Sequence, residues 1–291
     1  METSELLKKV RKIEIKTRGL SNQIFSGQYH SAFKGRGMAF SEVREYAYGD
    51  DIRNIDWNVT ARYHTPFVKV FEEERELTLV LVVDVSASGD FGTRGQSKRD
   101  LITELCAVLS FSALTNNDKI GVILFTDRIE LFIPPKKGKT HILRIIRELI
   151  EFHPQGKGTD IGMALRFLTN AIKKRSIAFL MSDLMGTGFD DPLRIAARKH
   201  DLVALRVRDQ REDELPDIGL VRLTDAETGT EQWVDTSNEH VRTAFKARAL
   251  ELDARSRDLL RRAGVDSTDL YTDRSYVAPL TTLLKRRGTR R

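Results

Sequence analysis

A chain of 291 residues, 40% hydrophobic and 31% charged, is long enough to build one large or two small domains around a sizeable core. Its 48 basic and 42 acidic residues leave a formal charge of only +6, too balanced for a protein whose main task is coating nucleic acid. The single cysteine, Cys106, excludes an internal disulfide and suits a reducing compartment; no apolar run approaches the roughly 20 residues that cross a bilayer, and METSELLKKVRKIEIKTRG lacks the apolar centre of a signal peptide, so a cytoplasmic location is expected.

Residues 1–75 are rich in Gly, Arg, Tyr and acidic side chains and poor in long apolar runs. They are expected to form a segment packed on the core. Within them, GDDIRNIDWNVTARY reads as an organising turn: Gly49 permits the bend, Asp50 and Asp51 cap the next segment, and Arg53, Asp56 and Arg62 pair their charges under Trp57. Contact with a ligand is the other reading of that stretch. From about residue 77 strand and helix signals alternate, the pattern of an α/β domain with a doubly wound, mostly parallel sheet flanked by helices, assigned to 76–291.

In chain order, ELTLVLVVD (76–84) is a continuous β-branched run, expected where helices cover both faces of a strand. SKRDLITELCAVLSFSALTNN comes next as a helix capped by Ser97, with Leu101, Leu105 and Leu109 at four-residue spacing. KIGVILF (119–125) is a second buried strand, and IELFIPP (129–135) a short edge strand ended by its prolines. Helices over THILRIIRELIEF, TDIGMALRFLTNAIKK and DDPLRIAARKH separate the strands SIAFLMS (176–182) and DLVALRV (201–207). GLVRLTDAETGTEQWVDT has two strand-like halves around Glu-Thr-Gly, an inserted β-hairpin at about 215–236. A long helix over 237–262, with Val241, Phe245, Leu250, Leu252, Leu259 and Leu260 as its stripe, leads to a last strand STDLYT (267–272). The basic ends, KKVRK and KRRGTRR, read as solvated charge.

In an open parallel sheet ligands bind beyond the carboxyl ends of the strands. Asp84 ends the first buried strand with Ser86 and Ser88 after it, Asp183 ends another in FLMSD, and GKGTD (156–160) puts Thr159 at a helix start. Two carboxylates and three hydroxyls converging on one edge are hard oxygen donors of the kind that suit Mg²⁺ or Mn²⁺. The bland reading, that both aspartates only cap helices, does not account for the serines and the glycine-flanked threonine.

Those residues resemble the metal-ion-dependent adhesion site of von Willebrand factor A domains: D-x-S-x-S at Asp84, Ser86 and Ser88, the threonine of GKGTD, and the aspartate of MSDL. The resemblance implies a non-enzymatic protein-interaction module. In it Ser86, Ser88 and sometimes Thr159 ligate the metal, Asp84 and Asp183 act largely through water, and an acidic residue of a client fills the open position. A second stretch, GRGMAFSEVREYAYGDDIRNIDWNVTARYHTPFVKVFEEERE (35–76), is similar to the family called domain of unknown function 58, bacterial and archaeal proteins, most densely over about 28–92. Members often accompany MoxR-type AAA+ ATPases, so the resemblance implies such an ATPase as partner, in assembly or maturation of another complex.

Other chemistries fit less well. A haloacid-dehalogenase-type phosphohydrolase would use Asp84 as nucleophile, with an acid two residues on; that position is Ser86. GKGTD is too short for a phosphate-cradling loop, and a GxSxG elbow is absent. The basic ends allow an auxiliary, salt-sensitive attraction to nucleic acid.

Overall fold

The computed structural model describes residues 38–73, 76–92, 96–224 and 229–289, together with 11, 13, 14, 16, 17 and 19–21. The basic stretch KKVRK therefore lies almost wholly outside the described residues, as do Glu227 and Thr228 of the expected hairpin turn and Arg290 and Arg291. The chain divides into two compact units, Lys34–Leu77 and Thr78–Arg291 with Met1–Phe33.

In the smaller unit, strands β1 (Met38–Glu45) and β2 (Phe67–Glu73) pair antiparallel, with a bulge between Phe40 and Glu42. The connection between them contains helix α1 (Trp57–Tyr63). Gly49 takes a positive φ of 105°, as the sharp turn requires. Asp50 grips Arg44 through two hydrogen bonds of 2.7 and 2.8 Å, Asp51 caps the short 3₁₀ turn Ile52–Asn54, and Asp56 caps α1 by accepting from the backbone N–H groups of Asn58 and Val59. The expected charge cluster under Trp57 does not form. Arg53 pairs with Asp51, Asp56 lies 3.4 Å from Lys69, and Trp57 is 70% exposed, because each aspartate is consumed by a local backbone cap.

The larger unit is built on a sheet of β3 (Thr78–Asp84), β4 (Lys119–Phe125), β5 (Ile129–Lys136), β6 (Ile177–Ser182), β7 (Asp201–Arg208) and β10 (Asp266–Tyr271), in the spatial order β10-β7-β6-β3-β4-β5. All neighbours are parallel except β5, which runs antiparallel on the edge; Pro134 and Pro135 do not end it as expected but lie inside it, where the pairing slips in register between Ile120 and Val122 and resumes at Lys136. The chain winds outward from β3 through β4 to β5, then returns to the other side of β3 and winds through β6, β7 and β10. This is the doubly wound α/β class that the alternating pattern predicts, and its switch point lies between β3 and β6. Leu79 to Val83 have no exposed surface, as a strand covered on both faces should.

Helix α2 (Lys98–Thr115) begins at the predicted cap: Ser97 and Asp100 exchange the two hydrogen bonds of a capping box. It is buried on every side from Leu101 to Ala113, rather than along one stripe. Cys106 lies in that interior, its thiol pushed well above its ordinary pKa by burial, so it is no nucleophile. Helices α3 (Lys139–Glu151), α4 (Ile161–Ala171) and α5 (Asp190–Lys199) form as predicted, and the short α6 (Gln210–Asp213) caps itself through Asp209 and Glu212. The hairpin of β8 (Leu220–Thr224) and β9 (Glu231–Asp235) forms where expected.

Two expectations are corrected further along. In α7 (Glu239–Arg262) Leu250 is 59% exposed. The inward line runs instead through Val241, Phe245, Ala249, Leu252, Ser256 and Leu260, at spacings that keep one helical face, and Leu250 falls beside it. In α8 (Val277–Thr289) the basic end is not simply solvated: Arg287 is buried and donates to Asp266 at 2.6 Å and to Asp201 at 2.5 Å. Among the described residues no helix is long and apolar enough to cross a membrane.

At the opposite end of the strands, His200 has no exposed surface and shares a 3.0 Å hydrogen bond with the Ser176 hydroxyl. Burial, with Lys199 and Arg175 nearby, pushes its pKa down to about 4. Its folded pKa lies below that of the unfolded chain, so the unfolded state takes up the proton first as pH falls. Stability is therefore whole above about pH 6.5 and declines between there and pH 4. The drop from pH 7 to pH 5 is expected to be about 2 kcal/mol smaller in His200→Leu than in the parent, by chemical denaturation at both pH values. Equal drops would show that His200 is protonated in the fold.

Candidate functional site

The end of β3 and the loop after it set the site. Asp84 is the last residue of β3, and its carboxylate is almost wholly buried. Oδ1 accepts from the Ser86 backbone N–H at 3.0 Å, and Oδ2 accepts from the Ser182 hydroxyl at 2.7 Å. The Ser182 oxygen in turn accepts from the Leu184 N–H at 3.1 Å. Burial first, and the Asp183 charge second, raise the Asp84 carboxyl to about pKa 6, while the hydrogen bonds from Ser86 and Ser182 pull the other way. After Asp84 the chain turns through the 3₁₀ segment Ala87–Asp90, which brings the Ser86 and Ser88 hydroxyl oxygens within 3.0 Å of each other.

The second loop comes from between α3 and α4. The Lys157 carbonyl accepts from the Ala87 N–H at 3.3 Å, which places GKGTD alongside the serine loop. This loop is tied down rather than loose. The Glu130 carboxylate accepts from the Gln155 and Gly156 N–H groups at 3.1 and 2.7 Å, and the Asp160 N–H donates to the Thr126 carbonyl at 2.9 Å. Gly156 is required by space: a Cβ there would stand 2.1 Å from Asp127 Oδ1 and 2.2 Å from Thr126 Oγ1. Thr159 precedes Asp160, the N-cap of α4, as the sequence predicts.

The third element is the end of β6. Asp183 comes directly after Ser182, and its Oδ2 lies 3.0 Å from the ammonium of Lys98, whose Nζ is also 2.6 Å from Glu212 Oε1. Lys98 is only 2% exposed. Burial alone would lower its pKa, but Asp183 and Glu212 together more than offset this and hold it above the ordinary lysine value. The structure thus gathers Asp84, Ser86, Ser88 and Asp183 at one strand edge and brings the Thr159 loop beside them. It adds Ser182, Lys98 and Glu212, none of which the sequence pattern singles out. A signal for Lys98 was present: a lysine in the first turn of a helix meets the positive end of the helix dipole and calls for an anionic partner.

Does this edge suit the divalent ion the adhesion-site resemblance implies? Two oxygens at adjacent corners of an octahedron with Mg²⁺ bonds of about 2.1 Å stand about 3 Å apart, the spacing of the Ser86 and Ser88 hydroxyls. That spacing is equally a plain hydrogen bond. Among the described residues no three His, Cys, Asp or Glu side chains gather into a metal cage, so an ion here draws on hydroxyls. The donor set fits Mg²⁺ or Mn²⁺, with one chemical complication: one oxygen of Asp183 is already given to a resident cation.

Fold and edge together define a doubly wound α/β protein with hard oxygen donors clustered at its topological switch point. The chain belongs to the family described as Protein of unknown function DUF58, whose model matches residues 42–255. The uncharacterized protein Rv1480 of Mycobacterium tuberculosis is 31% identical over 99% of this chain and 92% of its own length. The uncharacterized protein MAV169 of Mycobacterium avium is 30% identical over 53% of this chain and 93% of its own. Among solved structures the chain is similar to the conserved hypothetical protein BatB of Bacteroides thetaiotaomicron, with a TM-score of 0.45 and 14% identity over 73% of this chain and 99% of that one. It is also similar to the SpRpn10 VWA domain, with a TM-score of 0.36 and 11% identity over 72% of this chain and 94% of that one.

Proposed function

We propose that this strand edge is a metal-dependent protein-interaction site without enzymatic activity of its own. Ser86, Ser88 and Thr159 would hold Mg²⁺ or Mn²⁺, with Asp84 and Asp183 behind them. A bound ion supplies an open position for a carboxylate, so the client offers an acidic side chain, and a MoxR-type AAA+ ATPase is the partner with which this protein works. The observation that carries the reading is the pair of serine hydroxyls 3.0 Å apart beside a buried aspartate whose two oxygens are fixed by Ser86 and Ser182. Burial of Asp84, with each oxygen already accepting a hydrogen bond, argues against its use as a nucleophile toward a phosphoryl group.

Ser86→Ala is expected to lower Mg²⁺ affinity at least tenfold by calorimetry and to abolish Mg²⁺-dependent capture of the co-expressed ATPase. Unchanged Mg²⁺ affinity in a folded variant would remove the metal from the reading. Mg²⁺-dependent hydrolysis of an aryl phosphate that vanishes in Asp84→Asn would replace the interaction site with a phosphohydrolase.

A further inference from the structure

Lys98 sits in the first turn of α2, yet its side chain is buried and its ammonium bridges two carboxylates from different elements, Asp183 after β6 and Glu212 in α6. Glu212 cannot swing away easily, because its other oxygen accepts from the Asp209 N–H at 3.0 Å in the capping box of α6. A buried ammonium cannot give up all its partners, since water does not reach it to replace them. It can give up one of the two. A cation arriving at the serine edge competes with this ammonium for Asp183 and is repelled by it in a region where charge is poorly screened.

We infer that Lys98 is a built-in rival cation that sets how tightly this edge holds a divalent ion: it occupies Asp183 at rest and retreats to Glu212 when the ion binds. The inference rests on the reading of the edge as a metal site. It assigns Glu212 a role that no position in the D-x-S-x-S set suggests, that of keeping the ammonium satisfied while Asp183 turns to the ion. Lys98 and Glu212 therefore act in opposite directions. Without Lys98, Oδ2 of Asp183 is free for the ion while Oδ1 keeps its bond from the Met185 N–H; without Glu212, the ammonium clings to Asp183 as its remaining carboxylate.

The test is Mg²⁺ and Mn²⁺ titration of the full chain by calorimetry, with circular dichroism to confirm folding. Lys98→Met is expected to bind both ions at least tenfold more tightly than the parent, and Glu212→Gln at least threefold more weakly. Adding Asp183→Asn to Lys98→Met is expected to erase the gain, which a general change in local charge would not do. Because Lys98→Met leaves two partly buried carboxylates without their shared cation, Lys98→Met/Glu212→Gln is the companion variant, expected to bind at least tenfold more tightly than Glu212→Gln alone. Lys98 variants that bind no more tightly than their references, or Glu212→Gln binding more tightly, overturn the inference. Ser86-dependent Mg²⁺ binding indifferent to Lys98 does so while leaving the proposed metal site standing. Tightening in Lys98→Met without any capture of a partner supports Lys98 as rival cation and removes the partner-binding reading instead.

Discussion

Asp84→Asn is expected to unfold at a higher temperature than the parent in metal-free buffer at pH 7.5, and to lack the rise in melting temperature that Mg²⁺ is expected to bring to the parent through the proposed site. The folded state raises the Asp84 carboxyl to about pKa 6 through burial and the neighbouring Asp183. A carboxyl whose pKa is higher folded than unfolded favours the fold at low pH, and that contribution is lost as pH rises through the folded value. At pH 7.5 the parent bears the whole cost, about 3 kcal/mol for a shift of this size. Asparagine removes the charge and keeps the bond from the Ser86 N–H, while its amide donates to the Ser182 oxygen and displaces the proton that Ser182 gave to Asp84, which trims the gain. At about 2–4 °C per kcal/mol for a domain of this size, the gain is of order 5–10 °C by calorimetric scan. An Asp84→Asn protein that melts below the parent would show that the carboxylate stabilises the metal-free fold.

Arg206→Ala carries the largest expected loss. Arg206 lies toward the carboxyl end of β7, almost wholly buried, and donates to Asp253 of α7 at 2.6 Å and to Asp269 of β10 at 2.5 Å. Asp269 is its register partner on the adjacent strand. Arg257 bridges the same two aspartates from the exposed side, and Arg208 reaches Asp253 as well. Removing the central guanidinium strips a charge partner from two carboxylates and leaves a cavity where a long side chain packed. Breaking a buried pair in this way costs about 3–5 kcal/mol. Arg208 and Arg257 remain, so the lower figure applies. Urea denaturation measures it, and a loss under about 1 kcal/mol would mean that α7 is held by its apolar face alone.

The sheet was legible in the sequence because its physics is local. The run from Leu79 to Val83 is uniformly apolar since both faces are covered, and the prolines of IELFIPP announce an edge. The serine-aspartate set was legible for a related reason, as strand ends in a doubly wound sheet deliver their next residues to one edge. The rest depends on distant partners. Lys98 meets Asp183 and Glu212 across 85 and 114 residues of chain, and nothing in SKRDL names either of them. Trp57 was misplaced because an aromatic among charges reads as a lid, whereas the aspartates around it are absorbed in caps. Leu250 was misplaced because leucine weighs more than alanine or serine in a stripe, yet Ala249 and Ser256 are the residues that face inward.

The clamp on Arg287 changes how the basic C-terminal run can be manipulated. A deletion that begins at Lys285 would not trim a tail; it would withdraw the guanidinium that ties Asp201 at the start of β7 to Asp266 at the start of β10. Such a truncated protein would lose affinity for any polyanion through unpacking as readily as through lost charge, and the two causes would be indistinguishable in a binding curve. Lys285, which is exposed, is the position where charge can be reversed while the wedge stays in place, whereas Arg286, also exposed, lies 3.5 Å from the same Asp266.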